Sequence, residues 1–249
     1  MKRIFIMLIC TLAVSVSLAQ SSGTSNATPS SQTVTQEGVS NPKTDWLKPF
    51  DRIKIDGPMK VELKRVAKLP ESRIIYDTKG NITSKFKFEI DRKGTLVISE
   101  RADHKRTTVT EVTVYYTSLR SVKIAHATVD IVDEIECDIF DLSVSGGAIV
   151  KLNVQTLDTA VECTGASRLT IGGSSKYLAM RVSTAKVDCS ALSTVASIVE
   201  ASNSAEVRVL VSERLEATTA TGAKLLYKGC PVILRDHTAA FGGDIININ

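Results

Sequence analysis

Aromatic residues make up only 5% of this 249-residue chain, and tryptophan occurs once. So few rings cannot line a broad stacking platform. The five outward candidates, Trp46, Tyr115, Tyr116, Tyr177 and Tyr227, share no common position in the pattern described below. Charge of one sign is scarce as well. The formal net charge is +4, and +2 without Lys2 and Arg3, too little to argue for nucleic acid as a partner. No two of Cys137, Cys163, Cys189 and Cys230 lie within four residues of each other, which excludes the usual zinc spacings. The three histidines, His104, His126 and His237, pair with no nucleophile at interpretable spacing. Gly146-Gly147 and Gly172-Gly173 read as turns, and no glycine-rich phosphate loop joins a strand to a helix. No cofactor and no metal are therefore expected.

Helical periodicity is nearly absent beyond the first residues, and period-two alternation takes its place. The start itself is different. Met1-Lys2-Arg3, an apolar run from Ile4 to Val16, and Ser17-Leu18-Ala19 form the three parts of a secretory leader, with cleavage expected after Ala19. The run is too short to span a membrane. Cys10 follows Ile9 inside it, not the small residue that precedes a lipid-attachment cysteine. Residues 20–45 are rich in Ser, Thr, Asn, Gln and Pro and cannot bury enough surface to offset ordering entropy, so they read as a flexible spacer. Residues 46–249 read as one domain. No later segment suits a membrane helix, and the product is expected to be exported to the periplasm, the cell surface or the medium.

What the chain does have is a small-residue step repeated through its second half. It appears at Gly147-Ala148, Gly165-Ala166, Thr184-Ala185, Ser204-Ala205 and Gly222-Ala223, with alanine-to-alanine spacings of 18, 19, 20 and 18. Ala127 and, more weakly, Met59 open similar stretches. A repeat of about 18–21 residues built on alternating apolar positions predicts stacked coils. The expected fold is an all-β, right-handed parallel β-solenoid. Residues 46–116 form its hairpin-rich N-terminal cap, and residues 117–249 its repeats, each of one or two strands of four to six residues. Alanine and the residue before it take the corner, where a larger side chain overpacks. Val150, Leu152, Val187, Val207, Val209, Leu225 and Tyr227 share the buried face. Around Ala166 the pattern slips by one, which predicts a bulge there. Phe86, Phe88 and Ile90 run into the turn Asp91-Arg92-Lys93-Gly94 and return through Leu96 and Ile98 as a hairpin. Gly242 to Asn249 alternates and is expected to close the far end. Export permits disulfides. Cys163 and Cys189 nevertheless fall in different columns of the stack, so the four later cysteines read as small apolar thiols.

Three stretches carry a resemblance to a bacterial family, the putative auto-transporter adhesin, head GIN domain. They are Phe50 to Leu63, Val112 to Val122, and the Ser/Thr-Gly-Ala steps followed by Leu225-Leu226-Tyr227-Lys228-Gly229-Cys230-Pro231. The resemblance covers about residues 49–249. It implies an exported all-β solenoid with an adhesin-like role, and it brings no catalytic residues. Relatives often carry an acidic residue just after the Ser-Gly-Ala-Ser step, where this chain has Arg168.

Two sets of residues are candidates for function. Lys151, Arg168, Lys186, Arg208 and Lys224 lie out of phase with the buried face and should point outward. On coils stacked about 4.8 Å apart they would form a cationic stripe suited to acidic glycans or anionic envelope polymers. A binding protein with no enzymatic activity, presenting this face to a polymer or another surface protein, is the primary expectation. The alternative is a polysaccharide-active enzyme, a lyase or hydrolase, using Asp141 and Asp158 on adjacent coils. Those carboxylates, like Asp51 and Glu216, each follow an apolar residue at what reads as the same point of the repeat.

Overall fold

Strict alternation makes a strand bury every second residue, and a second layer must cover that face. In this chain each lap of ribbon is covered by the next. The computed structural model describes residues 40–80, 83–102, 108–238 and 242–249. The leader, most of the spacer and His104 lie outside the described residues. The first strands are β1 (Lys43–Trp46), β2 (Arg52–Asp56), β3 (Met59–Arg65), β4 (Arg73–Asp77), β5 (Phe86–Ile90), β6 (Thr95–Glu100) and β7 (Thr110–Tyr116). There follow β8 (Ser121–Ala125), β9 (Thr128–Ile131), β10 (Ile135–Ser145), β11 (Ile149–Thr164), β12 (Arg168–Ser183), β13 (Lys186–Ser202), β14 (Glu206–Thr219), β15 (Ala223–Lys228), β16 (Ile233–Thr238) and β17 (Gly243–Asn247).

From β8 onward the ribbon forms a β-solenoid of about seven turns, preceded by a curled mixed sheet. Two faces run the length of the stack. The first consists of β8, the second parts of β10 to β14, and β16. The second consists of β9, the first parts of β11 to β14, β15 and β17. All these pairings are parallel. They align one buried file on the second face: Val61, Val129, Val150, Leu169, Val187, Val207 and Leu225. Each of these is at most 2% exposed, and burying such a side chain contributes roughly 1.5–3 kcal/mol.

The corner file is Ala127, Ala148, Ser167, Ala185, Ala205 and Ala223, all buried. Ser167, and not Ala166, occupies the alanine position in its lap. The turn before it holds two residues, Gly165 and Ala166, both at positive φ, as Gly146 and Gly147 are before Ala148. Ser167 Oγ donates to the Thr164 carbonyl at 2.6 Å, which satisfies the hydroxyl at the buried corner. The expected bulge at Ala166 is therefore absent, and Leu169 lies in register with Val150 and Val187. The irregularity falls one lap later, where β13 has an extra residue between Asp188 and Ala191 against Thr170 and Gly172.

The repeating strands are longer than the four to six residues expected, at 14 to 17 residues for β11 to β14. A second bend interrupts their phase without ending them. In β11, Val154 and then Thr159 point inward across Leu157-Asp158. Hydroxyls fill the inside of this bend. Thr156 and Thr159 share a hydrogen bond at 2.6 Å, Ser175 donates to Thr159 at 3.0 Å, and Thr194 and Ser197 pair at 2.8 Å. No glycine or proline marks the bend in β11, so the pattern of breakers could not reveal it.

The expected N-terminal cap is the curled sheet. β2–β3 pair in parallel with β8–β9 on one side and with β6–β7 on the other. β4 adds antiparallel to β7, and β1 antiparallel to β4. The predicted hairpin is present as β5–β6, closed by Asp91, whose carboxylate accepts from the Lys93 and Thr95 amides. β1 begins at Lys43, inside the stretch read as spacer, because it hydrogen-bonds along the edge of β4.

Candidate functional site

Outward positions on the second face repeat at every lap. The five expected cations do project outward, four of them exposed and Arg208 half-buried. The structure places them in two rows. One row reads Ile149, Arg168, Lys186, Glu206, Lys224 and Asp244. The other, two residues along the strands, reads Asp130, Lys151, Thr170, Asp188, Arg208, Leu226 and Ile246. Arg168 and Lys186 are direct neighbours. Glu206 separates Lys186 from Lys224 and binds both Lys186 at 3.5 Å and Arg208 at 2.6 Å. Asp188 is turned toward Ser190, whose hydroxyl and amide donate to it at 2.6 and 3.0 Å and hold its pKa below the usual carboxylate value. Lys151, Arg168 and Lys224 make no ion pair among the described residues, which leaves them open to a partner. Lys228, exposed on β15 beside Leu210, extends the cationic surface. The sequence reading missed it because the Lys follows Tyr227, outside the corner-centred pattern.

Asp141 and Asp158 lie on adjacent strands but two residues out of register. Asp141 lies opposite Ala160, and Asp158 opposite Ile139 and Tyr177. Asp141 shares its file with Glu216, four laps away, and Asp51 sits at a third position, held by Arg120 Nε at 2.6 Å. Glu216 is taken up by Arg214 and by Arg235 at 2.9 Å, and these two guanidiniums lower its pKa. The four carboxylates thus occupy three points of the lap, with Asp158 two residues before the file that Asp141 shares with Glu216. Among the described residues no cluster of three metal-ligating side chains forms.

Of the aromatic candidates, Tyr116 and Tyr227 are buried, at 1% and 8% exposure, so they serve the core. Their strands alternate inward at those positions. Trp46 is exposed on β1, with the Arg73 guanidinium 5.9 Å from its ring and 3.9 Å from that of Tyr115. Tyr177 is exposed on the first face, near Ile139 and Ile198, which are exposed too. His126 stands at a corner with φ 60°, its Nδ1 3.1 Å from Asp56 Oδ1, and His237 is exposed on β16. Cys163 and Cys189 are buried free thiols in different files, while Cys137 is half-buried and Cys230 exposed. Burial pushes the Cys163 thiol up to about 12.

A cleft of about 540 Å³ lies apart from both faces, between β1–β4 and β5–β6 in the curled sheet. It is lined by Lys43, Tyr76, Phe86, Lys87, Phe88, Glu89, Val97 and Ser99. No signal in the linear pattern joins these residues.

Residues 49–231 match the family described as Putative auto-transporter adhesin, head GIN domain. The fold is also that of several crystal structures of Bacteroidetes proteins. A putative adhesin of Bacteroides fragilis NCTC 9343 superposes with a TM-score of 0.77 at 16% identity, covering 84% of this chain and 97% of that one. A putative lipid binding protein of Parabacteroides distasonis ATCC 8503 gives 0.66 at 14% identity, covering 85% and 98%. A putative adhesin of Parabacteroides merdae ATCC 43184 gives 0.64 at 15% identity, covering 85% and 97%. No curated protein matches the chain.

Proposed function

Because the chain belongs to the auto-transporter adhesin head GIN domain family, we propose that it is an exported, non-catalytic binding head of the cell envelope. It presents its second solenoid face to an extended acidic polymer. The observation that carries this reading is the lap-by-lap repetition of outward cations on that face. Between Ile149 and Lys228, Lys151, Arg168, Lys186, Arg208, Lys224 and Lys228 outnumber Asp188 and Glu206. Successive laps stand about 4.8 Å apart, so a polymer lying across them meets charge at short, regular intervals. Each exposed contact is weak, on the order of 1 kcal/mol or less, and several together give useful affinity. Asp141 and Asp158 face out from adjacent strands two residues out of register, so the repeated cations, and not this pair, carry the reading.

Retention on a heparin-type column tests the proposal. Reversing Lys151, Arg168 and Lys224 to Glu should bring elution to distinctly lower salt, because these three have no ion-pair partner among the described residues. Unchanged retention of the folded triple variant refutes the assignment.

A further inference from the structure

The cleft in the curled sheet has the chemistry of a second, more selective site. One wall is the cross-strand pair Lys43 and Tyr76 from β1 and β4. The other is built from the β5–β6 pairs Lys87 with Ser99 and Glu89 with Val97. Tyr76 stacks on the buried Phe86 with ring centroids 4.9 Å apart, and Phe88 lies tilted 5.4 Å from Tyr76. Tyr76 and Phe88 are both half-buried, so ring surface faces the cleft while Phe86 supports it from beneath. Burial first, and then the nearby Asp45 carboxylate, raise the pKa of the Tyr76 hydroxyl, so it stays protonated at neutral pH.

Lys43 and Lys87 are exposed and make no ion pair among the described residues. Five of the eight lining residues carry a polar group, which is poor company for an acyl chain. The volume suits a ligand of one or two sugar rings. Ring faces receive the C–H surface of a pyranose, ammonium groups receive an acid, and Glu89 and Ser99 accept hydrogen bonds from hydroxyls.

We infer that this cleft binds an anionic saccharide unit, stacked on Tyr76 and Phe88 with its acid group held by Lys43 and Lys87. It is a pocket for one unit, distinct from the extended contact of the solenoid face, and it rests on its own geometry.

Calorimetric titration of the full chain with trigalacturonate, its fully methyl-esterified neutral form and palmitate tests the inference. Trigalacturonate should bind, and the neutral ester at least tenfold more weakly. The double variant Lys43→Gln/Lys87→Gln, altered only at exposed positions, should weaken trigalacturonate at least tenfold while keeping its retention on heparin. Phe88→Leu, which retains apolar bulk but no ring, should weaken it severalfold. The solenoid-face variant Lys151→Glu/Arg168→Glu/Lys224→Glu should keep the affinity for trigalacturonate, so failure of one site is told from failure of the other. No binding of trigalacturonate, equal binding of the ester, indifference to the lysine double variant, or tighter binding of palmitate each overturns the inference.

Discussion

Thr184 and Thr221 sit in the left-handed region, with φ of 55° and 53°, at corners where other laps use glycine. For an L-residue that conformation costs roughly 1–2 kcal/mol, and glycine gives back part of the relief as unfolded-state entropy, about 0.4–1 kcal/mol. Thr184→Gly is therefore expected to stabilise the fold by about 0.5–1 kcal/mol, read as a higher urea midpoint. Gly173 poses the reverse case. Its φ is 101°, and a Cβ there would lie 2.1 Å from the Val154 carbonyl oxygen of the neighbouring lap. Gly173→Ala should destabilise by more than about 2 kcal/mol, since backbone must move. The buried thiols predict an alkaline effect. Burial raises Cys163 from 9.0 to about 12, so the folded state keeps a proton that the unfolded state releases. Stability is then whole below about pH 9 and declines as pH rises toward 12. Cys189 shifts in the same direction, from burial first and then from the Asp188 and Cys163 charges. Urea midpoints measured from pH 8 to 11 should fall less steeply in Cys163→Val, whose lap neighbours in the file are already Val144 and Val182.

Among the elements, β1 is a four-residue strand with every residue exposed, paired within the described residues only to β4. Asp77 anchors the chain leading into it, accepting from the Ser40 hydroxyl at 2.6 Å and from the Asn41 and Lys79 amides at 3.3 and 2.8 Å. These bonds, Ser40 first, hold its pKa below 3.8. The anchor is therefore present above that value and lost as pH falls through the lower, folded one. Asp77→Ala should increase protease cleavage near Asn41 at neutral pH, whereas the parent chain should show such cleavage only in acid. Much of the architecture was legible at this scale. Alternation placed Val150, Val187, Val207 and Leu225 in one buried file, and a turn-forming run located the β5–β6 hairpin. Ser167 was hidden because a hydroxyl can replace alanine once its own turn supplies an acceptor. The second bend was hidden because a phase change through Leu157-Asp158 needs no breaker. The outward direction of Lys151, Arg168, Lys186, Arg208 and Lys224 was legible from phase alone. Which of them Glu206 would occupy was not, because laps of unequal length set that register. The aromatic cleft draws on four strands, and no local pattern joins them.

At the scale of the whole molecule the two ends differ. The curled sheet covers one, while at the other β16 and β17 each pair on one side only among the described residues. One inward file runs Leu142, Val161, Met180, Val199 and Ala217 and ends on Asp236, hydrogen-bonded by Thr238 at 2.8 Å. An inward charge on a terminal strand discourages further strands from adding. Asp236→Val should convert that edge into an acceptor, and light scattering should detect concentration-dependent assembly that the parent chain lacks. The other end carries a different constraint, because β2–β3 lie between β6–β7 and β8–β9. Order of synthesis is not order of masonry here. The earliest course gains its first flank only when β7 has emerged, and its second only with β9, as far as Ile131. A chain shortened from its C-terminus loses one outer course at a time, whereas one that begins at Thr95 loses a middle course and leaves its neighbours facing each other across a gap.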